Sequence, residues 1–145
     1  MQANRLVAGG LSGALATAAM TGWMAAGRLL GPHGEPPPKR LVRRAARRIG
    51  LPARHTSPLT WIATGAAHLG FGAGSGALYA VAVRRSTTTR GMAFGLAVYA
   101  VSYAGWIPAL DFLPPPHRDR PWRQWTTLTA HLVYGAVLGR TLADR

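Results

Sequence analysis

The chain alternates between long stretches without charge and short stretches crowded with arginine. No Asp, Glu, Lys or Arg occurs from Leu6 to Gly27, from His55 to Val83, or from Gly91 to Leu110. Each stretch reaches the roughly 20 residues of helix needed to cross a bilayer core of about 30 Å. A fourth, Trp122 to Leu142, carries Arg123 and Arg140 near its ends, where a long side chain can lift its charge to the head groups. The pattern predicts an all-α membrane protein: a four-helix transmembrane bundle forming a single domain over residues 1–145. The helices are expected at about 5–30, 58–83, 90–110 and 122–142. The first is too long for the apolar region of a signal peptide and is expected to be retained.

Between the first two spans lies a different pattern. Gly31-Pro32-His33-Gly34-Glu35-Pro36-Pro37-Pro38 cannot be helical throughout. From Lys39 to Ile49 the period becomes helical: Leu41, Val42, Ala45, Ala46 and Ile49 share one face, and the basic residues share the other. This predicts a basic amphipathic surface helix over about 39–49, apolar side down, with Lys39, Arg40, Arg43, Arg44, Arg47 and Arg48 meeting anionic lipid head groups. Pro58 suits a first helical turn, with Thr56 or Ser57 as its cap. Pro108 predicts a bend late in the third span.

Charge adds an orientation. The chain has 17 Lys and Arg against 4 Asp and Glu, a formal charge of +13. The side carrying the long loops holds Arg28, Lys39, Arg40, Arg43, Arg44, Arg47, Arg48, Arg54, Arg118, Arg120 and Arg123; the other holds Arg5, Arg84, Arg85, Arg90, Arg140 and Arg145. The positive-inside rule places the long loops in the cytoplasm and both termini outside a bacterial-type inner membrane. Trp23, Trp61, Trp106, Trp122 and Trp125 fall near the long-loop face as an interfacial belt, with Tyr79 near the opposite surface. Basic residues that flank apolar spans, rather than cover a soluble module, argue against nucleic-acid binding.

The second and fourth spans resemble each other. Ala67-His68-Leu69-Gly70-Phe71-Gly72-Ala73-Gly74-Ser75-Gly76 overlays Ala130-His131-Leu132-Val133-Tyr134-Gly135-Ala136-Val137-Leu138-Gly139, and Pro58 overlays Pro121. This suggests two helical hairpins in parallel duplication, although the first and third spans show no matching alignment. Each span carries a Gly-x-x-x-Gly pair: Gly9/Gly13, Gly72/Gly76, Gly91/Gly95 and Gly135/Gly139. Small residues at that spacing let helix backbones approach in lipid.

His68 and His131 each lie ten residues beyond the prolines that start their helices, about 15 Å into the bilayer. A polar ring at that depth needs a partner. Three readings compete. The imidazoles hydrogen-bond neighbouring helices through Thr17, Thr64, Thr127, Tyr99 or Tyr103. Alternatively they ligate a b-type haem, with glycine leaving room for the macrocycle. Or they form a proton or small-solute pathway. The first requires no cofactor and is preferred. The remaining histidines, His33, His55 and His117, sit in loops and are expected to be solvated. The chain lacks cysteine, and it shows neither a catalytic triad pattern nor paired carboxylates, a phosphate loop or a His-Glu-x-x-His motif. A non-enzymatic structural or accessory role follows, with the bilayer, other membrane subunits or a second copy as partners.

Four motifs carry a family resemblance. The run from His68 to Tyr79, the run from Gly95 to Leu110, and Ala130 to Gly139 resemble helices of the YagU-like family of small bacterial inner-membrane proteins, and Glu35-Pro36-Pro37-Pro38-Lys39-Arg40 resembles a loop of its members. The resemblance covers nearly the whole chain, whose first loop is shorter than in some members. It implies a multi-pass inner-membrane location and, in one branch, a link to acid tolerance. It brings no catalytic residues with it.

Overall fold

In the computed structural model the described residues are 2–29, 37–50 and 58–143. Among them the chain is all-helical. Four long helices, α1 (Gln2–Leu29), α3 (Pro58–Ala82), α4 (Thr88–Ala109) and α5 (Pro121–Ala143), are joined by a shorter one, α2 (Pro37–Arg48). The expected boundaries hold to within a few residues. Thr56 and Ser57, the loop histidines His33 and His55, and Arg54 and Arg145 lie outside the described residues.

Two helices, Ala3–Leu29 and Thr88–Ala109, are long and apolar enough to cross a membrane. α3 matches them in length but is diluted by glycine, and α5 carries Arg123, Gln124 and Arg140.

The bundle is two hairpins. α1 packs most extensively on α3 and α4 on α5, while α1 against α5 joins the halves. α3 and α4 barely meet along their backbones. The eight spaced glycines sit at the two crossings. A Cβ on Gly76 would meet Gly9 O and lie 2.6 Å from Gly13 Cα; one on Gly139 would meet Thr87 O and lie 3.0 Å from Gly91 Cα. A Cβ on Gly13 would meet Gly72 O and one on Gly91 would meet Gly135 O. The crossings therefore share one register, in which Gly13 corresponds to Gly91, Gly9 to Thr87 and Thr17 to Gly95. The glycine pairs of α1 and α4 are displaced by one turn relative to that register, so pairing the two motifs directly conceals the repeat.

α4 is not a regular helix. Ser102–Trp106 form a π-turn, with Ile107 N bonded to Ser102 O. Pro108 explains it: the ring cannot donate and crowds the carbonyl one turn back, so the ladder widens there. The widened turn rotates Ser102, Tyr103 and Trp106 inward. The helix stops at Asp111, which adopts φ +56°, a conformation Asp tolerates better than most residues.

The turn between α3 and α4 is latched. Thr87 caps α4 by accepting from Arg90 N at 3.2 Å. Ser86 Oγ donates to Gly139 O at 2.7 Å and lies 3.0 Å from the Tyr79 hydroxyl. Tyr79, expected at an interface, is fully buried and packs on Phe94 with ring centroids 5.0 Å apart.

Candidate functional site

The gap between α3 and α4 holds a cavity of about 300 Å³. Its walls include Met20 and Met24 from α1, His68 and Phe71 from α3, Tyr103 and Trp106 from α4, and Thr127 and His131 from α5. Leu41 and Val42 of α2 and Leu113 after α4 also border it. A smaller pocket of about 30 Å³ shares Met20, His68, Phe71 and His131 and continues toward Gly72, Ser75 and Tyr134. The two histidines from matching positions of the repeat thus border the same space.

Their surroundings differ. His131 is buried, its Nδ1 lies 2.8 Å from Thr127 O, and its ring meets Tyr99 edge-on at 5.4 Å. Because a carbonyl can only accept, Nδ1 carries the proton, and in the neutral ring Nε2 is a bare acceptor. His68 is partly buried, and its Nε2 is enclosed without a hydrogen-bond partner. Three of the hydroxyls expected to serve these rings are engaged elsewhere. Thr17 and Thr64 bond back to Gly13 O and Thr60 O at 2.8 and 2.6 Å, a local alternative open to any helical threonine. The Tyr103 hydroxyl donates to Asp119. The partner found for His131 belongs to its own helix, one turn back, rather than to a neighbour.

Asp119 is a functional-site neighbour that the sequence pattern did not mark. It is buried, accepts from Tyr103 and from Arg120 N at 2.8 Å, and pairs with the buried Arg123 at 3.3 Å. Arg123, expected to rise to the head groups, turns inward instead. Its i, i+4 spacing from Asp119 was the available signal, obscured because Asp119 precedes the helix.

The basic residues of α2 divide by role. Arg44 donates to Asp111 O and to Phe112 O (2.7 Å), and Arg48 to Leu110 O at 2.6 Å. They cover the carbonyls left open where α4 ends, as cations do at helix C-termini. The Arg48 guanidinium lies 4.7 Å from the Phe112 ring centre. Lys39 is buried with Nζ 3.8 Å over Trp61. Arg47 faces outward. Leu41 and Val42 turn toward the cavity, so α2 covers its long-loop end. Gly50, at φ +74°, follows the helix in the conformation that ends helices.

Two of the glycines near the histidines serve helix contacts. Gly72 and Gly135 face a partner helix closely enough that a Cβ would collide with Thr17 and with the Gly91 backbone. Among the described residues no three His, Asp or Glu gather as a metal site requires. The chain matches no family model, no curated protein and no solved structure.

Proposed function

We propose that the chain is a multi-pass membrane protein of the bacterial inner membrane, with all four long helices spanning, the long loops cytoplasmic, and an accessory rather than catalytic role beside other membrane subunits. The supporting observation is the distribution of surface. The candidate spans are only 33% and 17% buried, far less than the core helices of a soluble protein. Leu11, Leu15, Leu59, Ile62, Leu78 and Val101 stand outward, each more than half exposed. The interior holds Ser12, Thr17, Thr64, Thr127, His131 and Arg123. An apolar surface over an interior that mixes these polar side chains with Ala16, Met20, Tyr79, Tyr103, Tyr134 and Leu138 is suited to lipid, and so much exposed apolar surface is costly in water. The motif resemblance to YagU-like proteins agrees with this placement. The basic face of α2, on which Arg47 faces outward, is proposed to meet anionic lipid.

The test is alkaline carbonate extraction of membranes from expressing cells. The protein is expected in the pellet with an integral marker. Release into the supernatant would overturn the membrane reading. The haem alternative is tested by absorption: a Soret band in protein purified from haem-supplemented cells would favour it over the accessory reading.

A further inference from the structure

At the end of the bundle away from the long loops, where α1 begins and α3 and α5 finish, lies a second pocket of about 640 Å³. Its wall is mixed. Ala8, Val83 and Leu142 supply apolar surface, and Arg5, Arg84 and Arg85 supply charge. No Asp or Glu lines it. Of the chain's four carboxylates, Asp111 and Asp119 belong to the long-loop end, and Glu35 and Asp144 lie outside the described residues. Guanidinium groups around one space repel each other until an anion joins them. The bend that carries two of them is held in place. Arg90 Nη1 donates to Arg85 O at 2.7 Å, and Ser86 is tied to Gly139 O at 2.7 Å. Arg5 uses one of the five N–H donors of its fork on Val83 O at 3.2 Å, which leaves others for a ligand. Capping the end of α3 accounts for Arg5 but leaves Arg84 and Arg85 unexplained.

The distribution of charge points the same way. In the proposed orientation this end faces outward, where the positive-inside rule leaves few arginines. Five of the described residues there are arginine all the same: Arg5, Arg84, Arg85, Arg90 and Arg140. Three line the pocket, and Arg90 holds the bend. We propose that the pocket holds the phosphate of an anionic phospholipid. The forks of Arg84 and Arg85 suit paired phosphate oxygens, and the glycerol end lies against Ala8, Val83 and Leu142. Those apolar residues favour a lipid over a soluble phosphate, which would leave them facing water. The site lies at the opposite end of the bundle from the basic face of α2. This inference rests on the membrane placement proposed above.

The experiment titrates the purified protein, in dodecylmaltoside micelles, with dioleoylphosphatidylglycerol and with dioleoylphosphatidylcholine. Bound lipids per chain are counted by native mass spectrometry in roughly 0.15 M ammonium acetate, where exposed charges more than about 8 Å apart are largely screened. One phosphatidylglycerol is expected to be retained at least about tenfold more tightly than phosphatidylcholine. Arg84→Gln with Arg85→Gln is expected to weaken that lipid at least about tenfold. Arg118→Gln with Arg140→Gln, the same loss of charge at exposed positions off the wall, is expected to leave it unchanged. If the first double variant is not monodisperse, Asn4→Glu supplies the comparison. It brings a carboxylate to the wall in the first turn of α1, where negative charge favours the helix, and the same weakening is expected. Equal retention of the two lipids overturns the inference. So does phosphatidylglycerol held as tightly by the wall variant as by the wild type, which would assign it to α2, or weakened alike in both double variants, which would make it a diffuse charge effect. Glycerol 1-phosphate that competes at the same concentration as the lipid would assign the pocket to a soluble phosphate and overturn the lipid source. Protein that stays in carbonate-washed membranes yet shows no preference for phosphatidylglycerol sinks this inference alone; protein released by carbonate sinks the membrane reading.

Discussion

At the scale of single residues, the buried ionic cluster at the long-loop end is the most exacting feature. Arg123 and Asp119 are each less than a tenth exposed, and the Tyr103 hydroxyl closes the group. A buried pair adds little net stability over an apolar pair of similar volume, but removing one member strands the other. Asp119→Ala is therefore expected to destabilise the protein by about 3–5 kcal/mol. The double variant Asp119→Leu with Arg123→Met should recover most of that loss. Thermal unfolding in detergent checks both, and a double variant as unstable as Asp119→Ala would show that the cluster does not act as a pair. Asp119 did not stand out in the sequence, and Arg123 stood out only as a charge bound for the head groups. An arginine near the end of an apolar helix ordinarily reaches for water, and only the return of the preceding loop over the helix start makes it turn inward.

At the scale of elements, the two glycine crossings set the distance between the helices of each hairpin. Gly135→Leu must push against Gly91 and Met92 backbone and is expected to cost several kcal/mol, as overpacking a tight contact does. Gly74→Leu, with no atom within 4 Å of its added Cβ, should be close to neutral. Comparing unfolding midpoints of the two variants tests this, and similar losses would show that the crossings tolerate widening. The glycine spacing was legible because close approach requires small residues at that period whatever surrounds them. The matching register of α1 and α4 was not, because backbone proximity, rather than residue identity, equates Thr17 with Gly95. The basic face of α2 was equally plain, but its partners were not. Arg44 and Arg48 bond carbonyls more than sixty positions away in the chain, and Leu41 and Val42 border a cavity assembled from four other helices and Leu113. A period reveals that a face is apolar or charged, while what covers it depends on the tertiary arrangement. An Arg44→Gln, Arg48→Gln double variant should loosen the end of α4, seen as faster amide hydrogen exchange at residues 107–112 and little change at 91–98.

At the scale of the molecule, orientation sets which side of the membrane each loop meets. Reporter fusions after residue 143 are expected to be active only outside the cytoplasm, and fusions within 111–120 only inside; the reverse pattern would invert the orientation drawn from the arginine count. The two hairpins share a crossing register, but their two seams differ. At one of a pair of matching positions, Tyr134 is buried and its hydroxyl donates to Gly72 O at 2.8 Å. At the other, Phe71 lacks that oxygen and stands half exposed at the mouth of the cavity. Two identical hairpins associating as a symmetric dimer would have to place the same side chain on both seams, so both would seal or both would stay open. Joining the hairpins in one chain removes that constraint. A single hydroxyl, present in one repeat and absent from the other, can then separate the labour of holding the halves together from that of leaving a cavity between them.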